Sequence, residues 1–396
     1  MALRLLIAFW AIAGSLAIGR GDETPAVAEL PDPHELVVQL GAPSFQVREQ
    51  AARDLRSLGA AAVPALETAV AADDLEVKYR AQRLLDQIAE LEHEGRLERY
   101  AREPDAVPED FLPGLARARE LFATDEAGRE LFIAMQRAEP KLFRAVQRGG
   151  AALEAEFANT AAEHQFSFSR SRPPEASRVS ALLFVASTPG LKLSDQSANF
   201  LCTQLNYAEF KQSLSDKSRG PVARKLMSAW MRKPGEAAAF QRVTIALQND
   251  IPEGLSPALE VIDGRLAVGA ASQYAIVAVA RFGNREHLPV LEKLLRDATV
   301  ITTQRNAQQV VFETQVRDIA LAALLHLTEQ DLKKYGFTRV QRNPQYLFLP
   351  HTVGFESAAA RQTAHEKWQA WRADHTDELG PVVSEAERPD DASHDD

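Results

Sequence analysis

The chain has 396 residues and a formal charge of −10, with 45% hydrophobic and 25% charged residues, enough for two or three globular units or one long solenoid. Aromatic residues make up 7%, and the abundance of Ala, Leu, Glu and Arg favours helix. Nine acidic residues face only Arg388 between 374 and 396, so the body is close to neutral. It lacks the clustered Lys/Arg field that phosphate backbones require, which excludes nucleic acid as a partner.

Arg4 precedes an apolar run from Leu5 to Ile18, and Ala17-Ile18-Gly19 is small where a signal peptidase reads. Residues 1–19 therefore read as a signal peptide cleaved near Gly19, implying export to the periplasm or cell envelope, or secretion. The alternative is an uncleaved anchor, although the run is shorter than the roughly 20 residues that span hydrocarbon. Membrane contact is expected only through this segment. Residues 20–33, rich in Pro and Ala, read as a linker without a core.

Residues 34–103 repeat themselves. Leu36 and Leu40 correspond to Leu66 and Val70, and Val47, Arg48, Ala51, Leu55 and Leu58 correspond to Val77, Lys78, Ala81, Leu85 and Ile88, a period of about 30 residues that suits helical solenoids. Each copy splits into two helical patterns at a polar turn, Gly41 to Ser44 or Ala71 to Asp74, with Ser44 or Asp74 as the capping residue of the second helix. Ala51 and Ala81 fall where helices must approach closely, and the matched Leu and Ile residues supply a stripe for stacking. Glu90 to Arg102 is densely charged and reads as an exposed connecting helix.

Residues 104–250 show no repeat but place apolar residues three and four apart over 111–122, 131–146 with Pro140 interrupting, 179–186, 200–214, 222–230 and 240–247, which predicts an irregular helical region. Residues 251–373 return to the repeat pattern, with Val316-Arg317-Asp318-Ile319-Ala320 after Pro289-Val290-Leu291-Glu292, the latter matching Pro64-Ala65-Leu66-Glu67. The stretch between these two motifs is long. Val300-Ile301-Thr302-Thr303 and Val310-Val311-Phe312 flank Arg305-Asn306, which predicts a small β-hairpin inserted near 299–313. It reads either as a loop closed on its own apolar residues or as a partner-binding element, since solenoid insertions collect on one face. The tail 374–396 is too acidic to pack and is expected to be disordered.

The pattern Val-Arg-x-x-Ala at Val47 and Val316, with its variant Val77-Lys78-Tyr79-Arg80-Ala81, resembles the second helix of HEAT repeats, an armadillo-like helical family. The run from Arg317 through His326-Leu327-Thr328, Tyr335-Gly336-Phe337, Gly354-Phe355 and Lys367-Trp368 resembles the closing segment of uncharacterised exported bacterial HEAT-repeat proteins. The resemblance implies an all-α fold, an α-solenoid of HEAT-like helix pairs, and supplies no catalytic residues. It also implies that Arg48, Lys78 and Arg317 bond within or between repeats, against the alternative of a ligand contact.

The sequence offers no constellation for chemistry. The nine His show no pair at metal-binding helical spacing, and His365-Glu366 lacks a second His because position 369 is Gln369. Walker, dinucleotide and Gly-x-Ser-x-Gly motifs are absent. Cys202 lies among apolar neighbours and reads as an inert buried thiol, and His326 as a core or interface imidazole. Trp368 and Trp371 form either an aromatic binding ridge with Lys367 and Arg372 or the cap of the terminal repeat. The expectation is a non-catalytic scaffold that needs no cofactor or metal and binds a protein partner, with Arg305, Asn306, Trp368 and Trp371 as candidate contacts. The alternative is an enzyme or enzyme subunit with a pocket in 104–250.

Overall fold

The computed structural model describes residues 31–122, 125–168, 175–234, 237–264, 270–305 and 309–379. The expected signal peptide, most of the expected linker, Asn306 and the tail from 380 lie outside the described residues. The chain is mostly helical and divides into two compact units, Met1–Gly95 and Arg96–Asp396.

The first unit contains α1 (Pro33–Gln39), α2 (Phe45–Leu58), α3 (Val63–Val70) and the first part of α4 (Leu75–Arg102). Its sequence dictates the ends. Asp32 caps α1 by accepting from the His34 amide at 2.9 Å, and Asp74 caps α4 by accepting from Glu76 and Val77 at 2.8 and 3.2 Å. Ser44 occupies the cap position of α2 in extended conformation, but its hydroxyl makes no cap bond. The core comprises Leu36, Leu40, Ala51, Leu55, Leu66, Ala81, Leu84 and Ile88, with Leu58 and Leu85 only partly buried against it. Leu84 takes the buried place expected of Leu85, a shift of one residue along the helix. Ala51 and Ala81 are both fully buried, as close helix approach requires.

The second unit takes in the end of α4 and continues with α5 (Leu115–Phe122), α6 (Glu126–Ala138), α7 (Pro140–Arg148), α8 (Gly150–Phe168), α9 (Ala176–Ala186), α10 (Asp195–Leu205), α11 (Ala208–Leu214), α12 (Gly220–Met231) and α13 (Ala239–Asn249). Pro140 starts α7 instead of kinking one long helix, because a first-turn proline sacrifices no helical hydrogen bond. Helix α9 is buried from Val179 to Ala186 on all sides, the mark of a central helix. Its Phe184 packs with Phe132 and Phe143, the three ring centroids 5.6 to 6.1 Å apart.

Helix α13 is apolar on two faces. Ile245 and Ala246 join the core built by α5 to α12, whereas Ala239, Val243 and Leu247, four apart, join the next one. That second core is formed by α14 (Leu255–Ile262), α15 (Ala270–Phe282), α16 (Leu288–Lys293), α17 (Val316–Leu327) and α18 (Ala358–Asp374), followed by the short α19 (Thr376–Leu379). Helix α15 packs against both α14 and α17. Helical structure thus continues past 374, where the tail was expected to begin. His375 stacks on Trp371 at 4.1 Å and Glu378 pairs with Arg285, so these residues have partners despite their charge.

Between α16 and α17 lies the inserted hairpin, β1 (Val300–Arg305) antiparallel to β2 (Val311–Gln315), with Arg305 opposite Val311. A second, minimal hairpin, β3 (Arg342–Asn343) with β4 (Leu347–Phe348), follows α17.

Basic side chains close many helix ends. Lys233 donates to the Ala186 and Leu191 carbonyls at 2.9 and 2.6 Å, and the fully buried Arg242 to those of Trp230, Met231 and Lys233 at 2.7 to 3.0 Å. Arg224 donates to the Asn249 carbonyl at 2.6 Å. These cations satisfy terminal carbonyls and complement the negative helix end. No described helix is long and apolar enough to cross a membrane.

Candidate functional site

Two places in the second unit gather polar side chains around an exposed or hollow feature. The first is the root of the β1–β2 hairpin. Strand β2 runs directly into α17, so Gln315 is both the last strand residue and the N-cap of the helix, and Asp318 completes the capping box by accepting from the Gln315 amide at 2.8 Å. Arg361 of α18 grips the same carboxylate, Nε to Oδ1 at 2.7 Å and Nη2 to Oδ2 at 3.1 Å, and donates to the Glu313 carbonyl at 2.9 Å. Asp318 is fully buried and Arg361 nearly so. Burial pushes the Asp318 carboxyl up, against the opposing pull of Arg361 and the Gln315 amide.

The other side of β2 is also fastened. Glu313 and Phe355 exchange backbone hydrogen bonds at 3.0 Å each. Position 354 must be glycine for this approach, because a Cβ there would lie 2.5 Å from Thr314 Oγ1 and 2.6 Å from the Glu313 carbonyl. Arg339 lies over the Phe312 ring at 4.2 Å. Strand β2 is therefore held on both edges, while β1 has β2 as its one strand partner among the described residues. Val300, Val310 and Val311 are exposed, as are Thr303 and Arg305. His365, one turn along α18 from Arg361, is buried with Nε2 unpartnered. Burial, with Arg317 and Arg361 nearby, pulls its imidazole down to about 4, so it is neutral near pH 7.

The second place is a pocket of about 150 Å³ between the C-terminal end of α17, the turn that follows, and the β3–β4 hairpin. Leu332, Phe337 and Phe348 form its apolar wall, and His326, Lys333 and Arg342 bring nitrogen to it. Asp331 also lines it, but caps the 3-10 turn Leu332–Tyr335 by accepting from the Lys333 amide at 3.0 Å. The His326 imidazole is held below its ordinary range by burial and by Arg342.

The residues singled out from sequence do not converge on one site. Ala51, Ala81, Val316 and Ala320 are core residues, Val77 is half-buried, and Val47 and Lys78 are exposed. Arg48 donates to the Ala42 and Pro43 carbonyls at 2.8 and 3.0 Å, inside its own turn. Arg80, not Lys78, makes the link from α4 to α2, with Glu49 at 2.9 Å. Arg317 bonds to Gln315 Oε1. Trp368 is 1% exposed and offers no surface, while Trp371 packs on it at 5.3 Å. Cys202 is buried and its thiol is pushed up to about 12, which makes it a poor nucleophile.

In the middle region His164 Nε2 lies 2.8 Å from Glu139, with Arg178 3.8 Å from the same carboxylate. A carboxylate-backed imidazole can move protons, but Glu139 is its one hydrogen-bond partner among the described residues. Sequence reading missed both this pair and the pocket. Pairing residues 25 apart leaves no periodic trace, whereas Asn343-Pro344 followed by Leu347-Phe348 is a turn-and-strand signal that could have marked the β3–β4 hairpin. Compared with known proteins, no family model matches this chain and no curated protein matches it.

Proposed function

We propose that this protein is an exported, non-catalytic scaffold of the HEAT-repeat kind that binds a protein partner in the cell envelope. The apolar run of 5–18 motivates export. The repeat reading draws support from matched elements: Pro64 opens α3 and Pro289 opens α16, each followed by a fully buried leucine, Leu66 or Leu291. Stacked helix pairs offer an extended surface for a polypeptide without requiring chemistry.

The observation that carries the binding reading is the hairpin. Strand β2 is anchored by Arg361, Phe355 and the start of α17, so the outer strand β1 is presented on a rigid base, and its far edge has no strand partner among the described residues. An edge of this kind pairs with an extended segment of another chain through backbone hydrogen bonds. The partner is thus a protein that offers an extended strand.

A photo-crosslinker at Arg305, in intact cells, tests this. The expected result is a discrete adduct that disappears in a Thr303→Pro variant, whose proline removes an edge N–H, while circular dichroism is unchanged. An adduct pattern insensitive to Thr303→Pro would overturn the hairpin reading, and recovery of the protein solely from unexported cytoplasmic fractions would overturn the export reading.

A further inference from the structure

The pocket after α17 is independent of the hairpin and carries its own inference. Several basic side chains elsewhere in the second unit are committed to the fold: Lys233, Arg242 and Arg224 to helix-end carbonyls, Arg361 to Asp318, and Arg372 to Glu292 at 2.7 Å. The basic groups that line the pocket differ from these. The Lys333 ammonium, the Arg342 guanidinium and the His326 ring make no hydrogen bond or ion pair among the described residues. The one carboxylate at the rim, Asp331, is already engaged with the Lys333 amide.

The backbone beside these cations is strained in a way that shapes the cavity. Leu347 has φ 63°, and the Phe348 amide reaches the Tyr346 carbonyl at 2.6 Å, closing a three-residue turn around a left-handed leucine. Such a conformation persists only where the surroundings enforce it. Here Asn343 accepts from the Gln345 and Tyr346 amides at 2.8 and 2.9 Å, and β3 pairs Arg342 with Phe348. The turn thereby sets a buried aromatic wall and an uncommitted guanidinium on paired positions.

Volume and chemistry then define the ligand. A cavity of about 150 Å³ accommodates one benzene-sized group. Apolar walls suit a hydrocarbon body, and Arg342 with Lys333 suits a carboxylate, for which a guanidinium provides forked donors. We propose that this pocket binds a carboxylate borne on an apolar group of about six carbons, either as a small free acid or as the C-terminal residue of a polypeptide.

Calorimetric titration of the full chain with three probes tests this: 3-phenylpropionate, N-acetyl-leucyl-phenylalanine, and the C-terminal amide of that peptide. The proposal expects carboxylate binding, with the amide weaker by at least about tenfold, the scale of one charged hydrogen bond. A Lys333→Gln/Arg342→Gln variant, altering two exposed side chains, should weaken carboxylate binding about tenfold or more with an unchanged melting curve. Binding of the peptide acid alone would assign the site to polypeptide termini, and binding of 3-phenylpropionate would extend it to free acids. Failure of both carboxylates to bind at millimolar concentration, equal affinity for the amide, or no effect of the double variant would overturn the proposal.

Discussion

Helices α2 and α17 carry the same motif, Val-Arg-x-x-Ala, in their first two turns, and in both the alanine is fully buried. Their valines differ: Val316 is inaccessible to water, whereas Val47 is 40% exposed. Helix α17 packs against α15, α16, α18 and β2, while α2 belongs to the first described helix pair and packs chiefly on α1 and the turn before α3. One motif therefore performs two jobs. Its alanine allows one close helix contact everywhere, and its remaining positions are free to become core, surface or anchor according to what surrounds the helix.

The strongest way to sharpen this contrast is to break the ion pair that each helix contributes to. Asp318 of α17 and Arg361 are buried together, whereas Glu49 of α2 and Arg80 remain partly open to solvent. Asp318→Ala removes the nearest counter-charge of a buried guanidinium, which is left with the Glu313 carbonyl at 2.9 Å and its carboxylate at 3.6 Å, and is expected to cost about 3 kcal/mol, read as a large drop in the denaturant midpoint. Adding Arg361→Met should recover much of the loss, because the buried charge is then gone. Arg80→Gln should leave the melting curve unresolved from wild type, since solvent screens an exposed pair. Equal effects of Asp318→Ala and Arg80→Gln would refute the assigned difference.

The acid response of the α17–α18 contact is the next largest effect. His365 titrates at about 4 when folded and near 6.5 as an ordinary imidazole. Above pH 6.5 both states are neutral. Between about 6.5 and 4 the unfolded chain takes up the proton and the native one does not, so stability falls as pH falls through that window, by about 3 kcal/mol in all. Asp318 acts oppositely: its carboxyl is raised, so the folded state binds that proton first and offsets part of the loss at the low end. His365→Leu removes one titration and keeps the other. The expected result is a flatter profile from pH 6.5 to 4, measured by urea unfolding; a slope equal to wild type would refute the role given to His365.

These contrasts also mark how far the sequence could be read. The matched alanines were legible because close helix approach demands a small side chain wherever it recurs, and the hairpin was legible because β-branched runs interrupt a helical chain. Local pattern also exposed the Cys202 environment, set by neighbours on its own helix. Long-range pairings were not legible: Asp318 and Arg361 are 43 residues apart, and nothing in the local spacing of either announces the other. The pocket escaped notice for a related reason. Its cations arrive from a 3-10 turn and a two-residue strand, elements too short for any periodicity, and its wall depends on a leucine in a conformation that composition does not foretell. Trp368 and Trp371, three apart on one helix, share a face but not a depth, and their spacing, which left ridge and cap both open, did not show that Trp368 is buried and Trp371 half-buried.

The smallest effect tests the motif itself. If the environment, and not the residue, decides what the valine contributes, Val316→Ala and Val47→Ala should diverge although the chemical change is identical. At position 316 the lost methyl groups leave a cavity in the buried core to which Val316 belongs, at a cost of about 2 kcal/mol. At position 47 much of the side chain is already hydrated, and the change should fall within about 0.5 kcal/mol. Helix propensity favours alanine over valine at both sites, so any shared gain cancels in the comparison. A Val47→Ala loss matching that of Val316→Ala would mean that Val47 is covered in solution, which would place a packing partner on the first helix pair.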